Sequence, residues 1–165
     1  MKIEMTHKEF LNFANGIAEC KQAITSGAIT SNRMFSFYID STMNKLRDDV
    51  ITLNDHISQE STVDGADEYY KAHDLLLKGE WIPSNGVTYQ TNGGIKDAFN
   101  EQYKDVYESI MTSRKALNKF MNQTIEVELT QISFTVIPDD MHDSTLFNKV
   151  FKETEDEILE IIANG

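Results

Sequence analysis

The sequence predicts an α+β fold, mainly α, with one long antiparallel helix pair, flanking helices and a small antiparallel sheet. Three observations carry it: apolar residues recur at helical spacing behind capping signals, one such stripe runs unusually long, and strict apolar/polar alternation occurs only in two short stretches. At 165 residues the chain is read as a single domain, large enough to bury a core without a metal or disulfide.

Ile3 and Met5 alternate with Lys2 and Glu4 as a short strand. Thr6, with Glu9 three residues on, forms an S/T-x-x-E capping box, so a helix starts there. Phe10, Phe13, Ile17, Cys20 and Ile24 make its buried stripe, and Gly27 can end it at positive φ. Cys20 falls inside that stripe and is the chain's single cysteine, which reads as a core thiol and rules out an intrachain disulfide.

Ser31 or Asn32 can cap the next helix, predicted from Arg33 to about Glu60. Phe35, Ile39, Met43, Leu46, Val50, Leu53 and Ile57 follow a 4-4-3-4-3-4 spacing, close to a coiled-coil seam. A matching stripe between Lys96 and Asn122 (Phe99, Tyr103, Val106, Ile110, Leu117 and Phe120) is interrupted by Ser113. The two pair antiparallel on this spacing, although the same stripes can also drive homo-oligomers.

Between them a short helix spans Asp67 to Lys78. The stretch 79–95 is predicted to protrude as a hairpin or loop insert, because Asn85-Gly86 suits a two-residue turn while Pro83 disfavours a central strand. Near the C-terminus Ile125, Val127 and Leu129 alternate with polar residues, and Ile132, Phe134 and Val136 continue with the parity changed. A bulge or break at Thr130-Gln131 is therefore expected, within a sheet made of residues 2–5 and 125–137. A last helix is predicted beyond Asp143 or Ser144, with Leu146, Phe147, Val150, Phe151, Ile158 and Ile161 inward and its acids outward.

Charge bounds the function. The net charge is −12, from 27 acids against 15 bases. Between Asp139 and Glu160, eight acids face only Lys149 and Lys152, so half the net charge sits there. This balance argues against direct binding to nucleic acid or an anionic membrane and favours a partner protein with a basic surface. No apolar run is long enough to cross a membrane, and the N-terminus lacks a signal peptide's apolar core, so a cytoplasmic protein is expected.

No motif for nucleotide, zinc, calcium or serine-nucleophile chemistry occurs, so neither an enzyme nor a cofactor is predicted. Asp139, Asp140, His142 and Asp143 have the right chemistry for a metal-dependent hydrolase, but a strand-to-helix loop also asks for capping aspartates. Gly93-Gly94 before a helix is a weak phosphate-turn signal, better explained as a flexible helix entry. His7 and His56 are explained by surface or boundary positions. Trp81, Tyr89, Tyr69 and Tyr70 fit either a recognition patch or a satellite core. The partner-binding residues predicted are Asp139, Asp140, Asp143, Glu153, Glu157 and Glu160, with Trp81 and Tyr89 adding apolar contact.

Met1-Lys2-Ile3-Glu4-Met5-Thr6-His7-Lys8-Glu9-Phe10, Phe99-Asn100-Glu101 and Ile125-Glu126-Val127-Glu128-Leu129, with Ile132 and Pro138-Asp139 downstream, resemble a family of small tailed-phage proteins without an assigned activity. The likeness is one of layout across most of the chain. It implies a bacteriophage origin and expression in a bacterial host, and it transfers no catalytic residue. With the acidity, it points to a stoichiometric, anti-defence type inhibitor of a host nucleic-acid-handling or defence protein. A virion assembly component that self-associates through the heptad stripes is the second expectation.

Overall fold

A computed structural model of the chain describes residues 2–30, 32–129, 132–133, 136–142, 145, 147–150, 152–153 and 158–160. It is α+β and mainly helical. In chain order the elements are β1 (Lys2–Thr6), α1 (His7–Ser26), α2 (Arg33–Ser61), α3 (Ala66–Lys78), α4 (Asn92–Gln102), α5 (Lys104–Met121), β2 (Thr124–Glu128), β3 (Ile132–Ser133), α6 (Asp139–His142), α7 (Phe147–Val150), β4 (Lys152–Glu153) and β5 (Ile158–Glu160). They fall into two compact units, one of residues 1–55 and 120–165 and the other His56–Lys119.

In the first unit, β1 and β2 pair antiparallel with Ile3 opposite Val127 and Met5 opposite Ile125. The amide of His7 extends this ladder by donating to the Gln123 carbonyl at 2.8 Å. The capping box forms as the sequence predicts: the Glu9 amide donates to Thr6 Oγ1 at 3.2 Å, and the Thr6 amide to Glu9 Oε2 at 2.7 Å. Two of the orphan donors of a helix start are thereby satisfied. Gly27, at φ 74°, ends α1 in the left-handed conformation, where a Cβ would be strained. Asn32 caps α2, since its Oδ1 accepts the Phe35 amide at 2.8 Å.

Phe10, Phe13, Ile17 and Cys20 of α1 share one core with Phe35, Ile39, Leu46 and Leu53 of α2 and with Val127, Leu129 and Ile132. Cys20 is a buried core thiol, as its place in the stripe implies. Of the surface and boundary positions expected for His7, the surface one is excluded: it is 9 % exposed, its ring 4.4 Å from that of Phe120, and its Nδ1 has no hydrogen-bond partner among the described residues.

Two expectations for the C-terminal third are corrected. Strand 125–137 does not run through one sheet: β2 ends at Glu128, and β3 instead joins a second sheet of order β3-β5-β4. The change of parity explains this, because Val127, Leu129, Ile132 and Ile137 are all buried and no single flat strand can turn both sets inward. Thr130 and Gln131, where a break is expected, lie outside the described residues.

The last helix is likewise not continuous. Phe147 and Val150 lie in the short α7, buried, but 152–153 and 158–160 are strands, paired with Lys152 opposite Glu160. Residues 152–157 are Lys-Glu-Thr-Glu-Asp-Glu, so a helix there would have no apolar face to bury.

In the second unit, the stripe expected between Lys96 and Asn122 is divided between α4 and α5 at Tyr103. Ser113, which interrupts that stripe, donates its hydroxyl to the carbonyl of Glu60 in the last turn of α2. It thereby satisfies one of the acceptors a helix end leaves open, and it joins α5 to α2. Between α3 and α4 no strand forms, so residues 79–91 are an irregular connection rather than a hairpin. Its turn is closed by the Gly86 amide on the Pro83 carbonyl at 3.1 Å, and Val87 donates to Asn85 Oδ1.

Candidate functional site

The second unit is built around aromatic rings. On α3, Tyr69, Ala72, His73 and Leu76 recur at three and four, which turns them to one side. On α4, Ile95, Ala98, Phe99 and Tyr103 do the same. Trp81 comes from the irregular connection and packs edge-on to Phe99, with ring centroids 5.1 Å apart. Phe99 is 2 % exposed and lies 4.8 Å from the ring of Tyr103 and 5.7 Å from that of Tyr69. Tyr69 links this group to Tyr107 of α5 at 6.1 Å, Tyr70 at 5.4 Å and His73 at 5.9 Å. Such tilted and edge-on pairs are the arrangements the ring quadrupole favours.

The backbone signals that hold this group are local. Thr91 caps α4 by accepting the Gly94 amide at 3.1 Å. Gly94 lets half-buried Tyr89 pack close, because a Cβ there would approach Tyr89 Cδ1 to 3.2 Å and push the ring aside by a few tenths of an ångström. Gln102 Oε1 accepts the Ser84 amide at 3.1 Å and ties the irregular connection to the end of α4.

Two adjoining clefts open on this unit, sharing Tyr69, Phe99 and Asn100. The first has a volume of about 750 Å³ and is lined by Asp97, Glu101, Glu108 and Lys104 together with Tyr69, Phe99, Tyr103 and Tyr107. The second, about 620 Å³, is bordered by His73, Leu76, Leu77, Trp81 and Ile95. Elsewhere in the unit the Arg114 guanidinium donates to the Tyr70 hydroxyl at 3.1 Å. Burial pushes the Tyr69 phenol above its ordinary pKa of 10, and the neighbouring Tyr107 and Tyr70 add to this.

The second unit also exposes large apolar side chains. Leu77 is 73 % exposed and Ile82 79 %, and Tyr70, Leu75, Val87 and Tyr107 are also exposed. Two of them lie at the clefts, Tyr107 at the first and Leu77 at the second, where exposed apolar side chains suit docking. The unit carries ten acids and seven bases, so most of the chain's negative charge belongs to the other unit.

The residues singled out in the sequence fare differently. Trp81 is 8 % exposed, with its large ring packed on Phe99 in the aromatic core, and it borders the second cleft. Tyr89 is half-buried. Asp139 and Asp140 are exposed on α6, but Asp140 Oδ2 accepts the Thr30 amide at 2.6 Å and so helps hold the α1–α2 connection. Asp143 and Glu157 lie outside the described residues. Glu153 and Glu160 lie on β4 and β5, strands rather than a helix face. His73, by contrast, joins the aromatic group; its place one turn from Tyr69 is the only sequence signal for it.

Among the described residues no group of three His, Cys, Asp or Glu could hold a metal ion, and no helix is long and apolar enough to cross a membrane. No protein-family model, curated protein or solved structure matches the chain.

Proposed function

We propose that this chain is an acidic protein-binding module of phage type, which inhibits a basic nucleic-acid-handling or defence protein of a bacterial host by occupying it stoichiometrically. The observation that carries the proposal is the pair of aromatic clefts of the second unit with exposed Tyr107 and Leu77 at them, in a chain of net charge −12. Apolar anchors beside an ordered cleft supply affinity, while the chain's net negative charge raises the rate at which a basic surface meets it. The acids from Asp139 to Glu160 serve the steering role in this proposal, and the clefts serve as the grip. Affinity capture from a bacterial lysate tests it. The wild type should retain one basic protein in about equimolar amount, and L77S/I82S should lose it; retention by that variant would remove the clefts from the surface.

A second reading has its own observation. Met34 and Phe37, one turn apart near the start of α2, are 68 % and 74 % exposed, and Ile51 is exposed further along the same helix. These side chains suit self-association in a virion assembly component. Light scattering decides it: a stable oligomer that F37S dissolves supports assembly, and a monomer at all concentrations rejects it.

A further inference from the structure

We infer that the first cleft of the second unit takes the side chain of an arginine on the protein partner; this deepens the proposed function and rests on it. Four aromatic rings, those of Tyr69, Phe99, Tyr103 and Tyr107, line one cleft with three carboxylates, Asp97, Glu101 and Glu108. Rings attract a cation over their faces through the quadrupole, and carboxylates accept its N–H groups. The two together are chemistry for a flat, weakly hydrated cation. Lys104 offsets only one of the three negative charges. Arginine fits better than lysine because its planar guanidinium stacks on rings and gives up its hydration more readily.

Charge complementarity selects the occupant. An acidic chain with a carboxylate-lined aromatic cleft is matched by a basic polypeptide surface. The adjoining cleft, bordered by Leu76, Leu77 and Trp81, then receives an apolar side chain next to that arginine. Lys78 and Lys96 also border that second cleft, which disfavours a cation there; Lys78 is itself paired with Asp74 at 2.6 Å.

The experiment uses the full, isotope-labelled chain and a blocked dipeptide, acetyl-Leu-Arg-amide, followed by NMR chemical shifts. Its uncharged isostere, acetyl-Leu-citrulline-amide, is the control, and spermidine is the free-cation control. The arginine peptide should bind about fivefold more tightly than the citrulline peptide, with shifts at Tyr69, Phe99 and Tyr103. E101Q/E108Q keeps the packing and should bring the two peptides to within about twofold of each other, the size expected for exposed charge pairs. Y107A should weaken the arginine peptide alone. Equal affinity for arginine and citrulline overturns the inference, as does spermidine filling the cleft while the arginine peptide leaves it unchanged. If a basic partner is captured but the cleft ignores arginine, this inference falls and the proposed function stands. Arginine selectivity with no protein partner at all does the reverse.

Discussion

Replacing Phe99 by alanine should unfold the aromatic group of the second unit. Phe99 is 2 % exposed and touches Trp81, Tyr69, His73 and Tyr103 at centroid distances of 5.1, 5.7, 5.8 and 4.8 Å. Truncating a buried Phe costs about 3 to 5 kcal/mol through lost transfer energy and the cavity left behind. A unit of this size, at about 0.05 to 0.15 kcal/mol per residue, holds only about 3 to 10 kcal/mol. The change therefore removes most of its stability. Trp81 is the chain's single tryptophan and packs on Phe99, so its emission reports this unit directly. In a urea titration, with a slope of about 1 to 1.5 kcal/mol per molar, the midpoint should fall by about 2 M or more. F99L, which keeps most of the volume, should cost under about 1.5 kcal/mol. A loss below about 1 kcal/mol for F99A would refute the placement of Phe99 at the centre of a packed core.

The first unit offers further tests. Thr6→Ala removes the hydroxyl that accepts the Glu9 amide and should cost about 1 to 2 kcal/mol in thermal or urea unfolding. The Thr6 backbone amide and then its hydroxyl hold the Glu9 carboxyl below its ordinary 4.5, so its contribution is full above that value and is lost as pH falls through the depressed pKa; E9Q should flatten that acid limb. Burial pushes the Tyr38 phenol up to about 12, against a smaller opposing hydrogen bond with Thr42. Its stabilisation is therefore present below pH 10 and lost as pH rises through 12, and Y38F should delete the highest step of a 295 nm titration. Cys20, 1 % exposed, should react with a thiol reagent only as fast as the unit opens, so rapid labelling of native protein would contradict its burial.

Local grammar makes much of the fold legible. The box of Thr6 and Glu9, the left-handed Gly27 and the 4-4-3-4-3-4 stripe define α1 and α2 because caps and periodicity act within a few residues. The interrupting Ser113 is visible in the sequence but not explained by it, since its partner, the Glu60 carbonyl, is 53 residues away. The C-terminal third misleads for a related reason. Phe147 and Val150 sit at helical spacing, yet 152–153 and 158–160 pair as β4 and β5, and β5 also pairs with the distant β3, Ile132 opposite Leu159, a partner the local pattern does not reveal.

The clefts are legible only as ingredients. Trp81, Tyr69 and Tyr70 stand out as aromatic residues, but Phe99 and Tyr103 read as part of a long helix seam. Only the break at Tyr103 and the fold of α3 onto α4 gather them into one group. The acids beyond Asp139 are the louder signal in the sequence, because charge density is visible residue by residue and a shared cleft is not. The exposed Leu77 and Ile82 carry no sequence signal, because an apolar residue announces its burial, not its exposure.

The most direct test is the kinetics of the captured partner against two variants. L77S/I82S/Y107S strips exposed side chains at about 0.5 kcal/mol each, so the variant should lose no more than about 1.5 to 2 kcal/mol and stay folded. It should nonetheless speed dissociation at least about tenfold, whereas E153Q/E157Q/E160Q should mainly slow association and reduce its salt dependence. Unchanged dissociation from the first variant would contradict the assignment of the second unit as the surface that grips the partner.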